Sequence, residues 1–171
     1  MHKSLVLTVL GDDRPGLIQV LSEVLEQHQG NWLESRMVDL AGKFAGLLKV
    51  SVPAARSADL NTALEGLQQQ GLEIQIQPVD EQRSTTCNEL LQLEVLGPDA
   101  PGIINNITHQ LSTLKVSIDE LNSEQRQAPM SAEKLFFAEM TLELPAGVSQ
   151  DDVQDALEEL SDQLMVSLEA G

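Results

Sequence analysis

The residues of this chain best placed to touch a small molecule lie in one turn, Gly11-Asp12-Asp13-Arg14-Pro15-Gly16, which returns as Gly97-Pro98-Asp99-Ala100-Pro101-Gly102. Each copy follows a short apolar run and opens a stretch of helical apolar spacing. Between residues 5–18 and 91–104, nine of 14 positions are identical, where unrelated stretches would share roughly one. A turn of this kind presents the unpaired N–H groups of a helix start, which suit a carboxylate. Gly16 and Gly102 remove side-chain bulk and let a ligand approach the backbone. Nearby Asp or Asn oxygens suit an ammonium, so the two ends of an amino acid are both provided for. The competing reading is an efficient strand-to-helix turn with no ligand. The residues alone leave the two open.

Other chemistry finds little support. Asp12 and Asp13 could act as a general acid and base, but the second copy has Pro98 in place of Asp12. The turn lacks the lysine and spacing of a phosphate loop. His2, His28 and His109 sit in no common motif, and no His/Cys/Asp set has metal-ligand spacing. The expectation is therefore a protein with no catalytic residues, no metal and no cofactor.

Charge and composition narrow the partners. With 27 Asp+Glu against ten Lys+Arg, the net charge of −17 leaves no basic footprint for phosphates. No Tyr, one Trp and three Phe are too few for base-stacking platforms, so direct nucleic-acid binding is not expected. The acidity serves solubility or a docking surface for a basic partner. The single Cys87 lies in a polar stretch and is read as a bystander thiol. The first apolar run is too short for a signal peptide, and no stretch approaches a membrane span of about 18 apolar residues. A soluble, cytoplasmic protein with no membrane partner is expected.

The elements that must hold the turns follow in order. Residues 5–10 read as a strand, apolar on both faces, as suits a central strand covered by helices on one side and packed closely on the other. The turn should place Asp13 or Arg14 at a helix cap and Pro15 at the first helical residue. Leu17, Ile18, Leu21, Val24 and Leu25 form one helical face, and Gly30 ends the helix. Strands at 32–40 and 43–52 flank the hairpin turn Ala41-Gly42, and Pro53 stops the second of them. A helix with Leu60, Ala63, Leu64 and Leu67 has Ser57 or Asp59 as its cap and closes at Gly71. The alternating strand Leu72, Ile74, Ile76 follows. The order is β-α-β-β-α-β, with both helices on one face of a four-stranded antiparallel sheet.

The second half repeats it, with a hairpin connection lengthened by six residues around Gln127-Ala128-Pro129-Met130. Its last helix is capped by Ser149-Gln150-Asp151-Asp152 and carries Val153, Ala156, Leu157, Leu160 and Leu164. The fold class is α+β, two ferredoxin-like βαββαβ domains, at 1–79 and 89–171 joined by a linker at 80–88. Domains of this size bury only about 60% of their unfolded surface, so they should pack on each other or form a homo-oligomer.

The β-α-β-β-α-β order with Gly-x-Asp-x-Pro-Gly at the first turn resembles the ACT domain, a family of regulatory modules, one per half. The tandem pair, and the stretch 10–52 including Gly30-Asn31-Trp32-Leu33-Glu34-Ser35-Arg36-Met37, is similar to the family of glycine cleavage system transcriptional repressors. That resemblance implies an amino-acid-responsive regulator, with glycine the suspected ligand, acting on transcription through contact with a DNA-bound transcription factor. By position it marks Asp12, Asp13, Arg14, Gly16 and Asn31 in the first half as ligand-binding. In the second half it marks Asp99, Ala100, Gly102 and Asn105, with Ser117 where Asn31 would be. A ligand-free adaptor, or the regulatory subunit of an amino-acid biosynthetic enzyme, are the alternatives.

Overall fold

The computed structural model describes residues 1–79 and 88–171. The chain divides into two compact units, Met1–Ser84 and Thr85–Gly171. Cys87 and the expected linker, apart from Asn88, lie outside the described residues.

Unit 1 comprises β1 (His2–Asp12), α1 (Leu17–Gln27), β2 (Asn31–Leu40), β3 (Lys43–Pro53), α2 (Ser57–Gly66) and β4 (Leu72–Pro78), with 3-10 turns on either side of α2. Its sheet has the order β2-β3-β1-β4 and is antiparallel throughout. Alternation decides which face is buried. Leu5, Leu7 and Val9 of β1 join Phe44, Leu48, Val50 and Val52 of β3 in one core. Leu17, Leu21 and Leu25 of α1 and Leu60 and Leu64 of α2 close it from the same side.

The opposite face of β1 is not packed closely: Thr8 is exposed and Leu10 is 45% exposed. Apolar residues on both sides of a strand therefore place it centrally here without implying a second covering layer. Ile18 likewise leaves the expected helical face and is 49% exposed.

Unit 2 repeats the plan with β5 (Glu89–Pro98), α3 (Ile103–Thr113), β6 (Ser117–Gln127), β7 (Lys134–Leu144), α4 (Gln150–Glu158) and β8 (Met165–Ala170), in sheet order β6-β7-β5-β8. Leu91, Leu93, Val95, Ile107, Leu111, Phe136, Met140 and Leu157 are among its buried core. α4 starts as its sequence demands: Ser149 accepts from the Asp152 N–H, and Asp152 accepts in return from the Ser149 N–H. Those bonds hold the Asp152 carboxyl below its usual range. Ser149→Ala should cost unit 2 about 1 kcal/mol, read as a lower midpoint in urea with an unchanged slope. The helix ends at Glu158, so Leu160 and Leu164 pack on the core from the following turn instead of from the helix.

Three local details differ from expectation. The helix starts two residues later than Pro15 suggests: Gly16 is the cap of α1 and Gly102 that of α3, each with φ +87. Only glycine adopts that left-handed backbone without strain, and it pushes the preceding proline out into the turn. At the other end of α1 the left-handed residue is Gln29 and not Gly30, while the Gly30 N–H bonds the Leu25 carbonyl. Lys115 and Val116 repeat the pattern on α3, so a glycine is not required there. α2 begins at Ser57 itself, so its cap is Arg56 and neither Ser57 nor Asp59.

The hairpins also diverge. Ala41 and Gly42 both have positive φ and join Leu40 to Lys43 in a two-residue turn, the geometry that fits twisted strands. In unit 2 part of the insertion lengthens the strands, adding the pair Gln127–Lys134, and the rest widens the turn to residues 128–133.

Candidate functional site

Three features meet at the first turn. β1 delivers Asp12 and Asp13, the β2–β3 hairpin delivers Asp39, Gly42 and Lys43, and the segment before β4 delivers Gln70. The Asp13 N–H bonds the Gly42 carbonyl at 2.9 Å, fixing the turn to the hairpin. Arg14 donates to the Gln70 carbonyl and fixes it on the other side. α1 then starts with a bare N-terminus. Gly16 offers no side-chain cap and the first turn contains no acidic residue, so the positive end of the helix is uncompensated by its own side chains. An open cavity at this place is lined by Asp13, Arg14, Gly16, Leu17, Ile18, Gln19 and Phe44.

The electrostatics separate the two adjacent aspartates. Asp12 points to the open side of the sheet, where Lys43 hydrogen-bonds it and attracts it, holding its carboxyl below the usual range. It does not line the cavity. Asp13 faces another carboxylate. A shared hydrogen bond with Asp39, then desolvation, then the like charge, raise its carboxyl above the ordinary value. Two carboxyl groups that face one another are a place where an ammonium can sit between them.

The sign of the pH effect follows. A raised folded-state value means that the pair's stabilisation is present below the ordinary carboxylate value and is lost as pH rises through the raised one. Asp39→Asn lets an amide donate to Asp13 and removes that loss. Its melting temperature should exceed the parent's at neutral pH and converge with it toward about pH 3, as scanning calorimetry across this range would show.

Unit 2 holds the same scaffold with different groups. The Asp99 N–H bonds the Lys134 carbonyl at 2.9 Å, the counterpart of the Asp13–Gly42 bond. Gln125 stands where Asp39 stands in unit 1 and donates to the Asp99 carboxylate, so there is no carboxyl pair. Pro98 opposite Leu135 replaces the Asp12–Lys43 ion pair. Ala100 replaces Arg14, and the space the arginine would cross opens as a cleft of about 190 Å³ lined by Ala100, Pro101, Ile103, Ile107, Leu160 and Leu164, among others. Gly102 keeps its capping role, and Asn105 is an exposed residue in the first turn of α3. The second turn thus keeps the backbone and exchanges a charged surrounding for an uncharged one.

Asn31 and Ser117 do not join their turns. Asn31 pairs with Ser51 on β3, while Asp12 pairs with Lys43 at the far end of that strand, roughly 27 Å away at about 3.4 Å per residue. Ser117 is placed likewise, opposite Glu143. A ligand at the first turn is therefore not reached by Asn31 of the same unit. Asp39, Gly42 and Gln70 are the site residues that the sequence did not mark. Asp39 could have been found from the two-residue hairpin, which brings it to the same end of the sheet as the turn.

Comparison with known proteins agrees with this architecture. A family model for the ACT domain matches residues 3–77. A UPF0237 protein of Methanococcus maripaludis is 31% identical over 78 residues, 44% of this chain and 87% of that protein. A crystal structure of an unknown protein from Galdieria sulphuraria matches with a TM-score of 0.87 at 28% identity, covering 100% of this chain and 99% of that one. A crystal structure described as a "putative glycine cleavage system transcriptional repressor" matches at 0.73 and 20% identity, covering 100% and 99%. Two βαββαβ units, the doubled glycine turn and the matched model lead to one statement: the chain belongs to the ACT-domain family.

Proposed function

We propose that this protein is an amino-acid-responsive regulator whose first turn binds a small amino acid, with glycine the favoured ligand, and which acts without enzymatic activity of its own. The observation that carries the reading is the bare, positively polarised start of α1 beside the Asp13–Asp39 carboxyl pair. The ligand carboxylate would take the N–H groups at Leu17–Gln19 and its ammonium the two aspartates, with Arg14 and Gly16 framing the space. Glycine is favoured because Asp13 lies in the short turn that runs into the helix start, and because a full-length match of the same fold is described as a "putative glycine cleavage system transcriptional repressor".

The two units, joined through residues 80–88, would pass the bound state to a DNA-bound transcription factor in the cytoplasm by protein contact. The net charge of −17 argues against direct contact with DNA. No helix among the described residues is long and apolar enough to cross a membrane. The second turn, with Asp99 engaged and Ala100 in place of Arg14, would bind glycine weakly or not at all.

Affinity capture on the full chain from its native cell, with and without millimolar glycine, tests the regulatory half. The expected result is a transcription regulator whose recovery changes with glycine. Recovery of an amino-acid biosynthetic enzyme instead, or of one partner indifferent to glycine, would contradict it.

A further inference from the structure

No element of unit 1 covers the open face of its sheet, and the composition of that face does not suit water. Val6, Leu10, Val38, Leu40, Ala45 and Leu47 lie on it in adjoining cross-strand rows. Leu10, Leu47, Val38 and Leu40 are 45%, 54%, 57% and 74% exposed. Contiguous apolar patches on a sheet face mark contact surfaces.

The fold does not require this face to be apolar, because unit 2 supplies the control. In matching register, Glu94 stands for Thr8 and Glu139 for Leu47, directly opposite each other across β5 and β7. Glu124 and Arg126 stand for Val38 and Leu40. The same sheet thus forms with carboxylates at its centre.

Charge selects the occupant. On the open face of unit 1 the cations Arg36, Lys43 and Lys49 are matched by the carboxylates Glu34, Asp12 and Glu73. Arg36 lies 4.0 Å from Glu34, Lys43 is paired with Asp12, and Glu34 is opposite Lys49. A chain of net charge −17 thus has a neutral face here, so two copies can meet there without repulsion. A basic partner would be drawn to the carboxylates of unit 2 instead. Area is sufficient as well. Four strands about 4.8 Å apart, the central two 11 residues long at about 3.4 Å each, give a face of roughly 650 Å². Two such faces bury roughly 1,300 Å², within the range of specific interfaces.

We infer that the open β-sheet face of unit 1 is a homodimer interface, packed against the same face of a second copy. The inference is independent of ligand binding at the turn.

Sedimentation of the full chain at micromolar concentration tests it with Thr8→Glu/Leu47→Glu, the residues unit 2 already carries at these places. The parent should sediment as a dimer. The double variant should sediment as a monomer with an unchanged circular dichroism spectrum, its dissociation constant raised at least about 100-fold. A parent that stays monomeric to about 100 µM, or a double variant that stays dimeric, overturns the inference. A second measurement leaves the apolar rows intact: Gln75→Cys, on the edge strand beside Thr8, in a Cys87→Ser chain, spin-labelled. Two sheets packed about 10 Å apart should give an inter-copy distance under roughly 25 Å, and a dimer without that distance overturns it too.

Discussion

Asp13→Ala is expected to cut the stabilisation of this protein by glycine to about half or less while leaving the unliganded protein at least as stable as the parent. A ligand at 100 times its dissociation constant adds about 2.7 kcal/mol to a folded unit, a rise of several degrees or more in the melting temperature at this domain size. In Asp13→Ala the ammonium loses one of two carboxylates and a charge-assisted hydrogen bond, costing roughly 1.5–3 kcal/mol of affinity. The same substitution relieves Asp39 of a like-charged neighbour, so the apo protein does not fall with it. That opposition of signs makes the result diagnostic. A residue that merely braced the turn would lower both melting temperatures together. Asp99→Ala is the matched control, since Asp99 already has Gln125 as its donor; the glycine response should survive it.

Leu48→Ala should produce the largest loss of stability, on the order of 3–5 kcal/mol. Leu48 is completely buried in β3, with Leu7 opposite it on β1 and the helices above. Truncation leaves a cavity that a sheet with fixed register cannot collapse into. A unit of this size has only about 5–10 kcal/mol in hand, so its transition should drop by on the order of 15 °C. The two cores are separate sets of residues, and amide exchange would read them apart. Protection at Leu7 and Leu21 should fall by orders of magnitude, while protection at Leu93 and Leu111 in unit 2 should remain.

The repeat in the sequence was enough to place every strand and helix, because alternation and helical spacing depend on the near neighbours of each residue. The hairpin at Ala41-Gly42 was readable for the same reason: both residues take positive φ locally. The cap of α1 was less so. Pro15 suits a first helical position, yet the left-handed Gly16 caps the helix and sets its start two residues later, at Leu17, and the dipeptide alone does not reveal which residue takes the unusual backbone.

The site was read in part. Asp13, Arg14 and Gly16 gather around the cavity. Asp12 leaves it for Lys43, a partner supplied by β3. Asp39 comes beside Asp13 from 26 positions away, carried there by the Ala41-Gly42 hairpin that pairs it with Phe44. Asn31 was grouped with the turn by resemblance, and the length of β2 carries it to the opposite end of the sheet. The apolar cleft at the second turn was equally hidden, since it depends on what Ala100 fails to fill.

The amide spectrum of the isotopically labelled full chain, recorded while glycine is added, tests the role of the first turn most directly. Saturable shifts are expected at the amides of Gly16, Leu17, Ile18 and Gln19, with smaller ones at Asp13 and Asp39. The matching amides of Gly102, Ile103 and Ile104 should stay still. An unchanged spectrum up to tens of millimolar glycine, or saturable shifts confined to residues away from that turn, would contradict it.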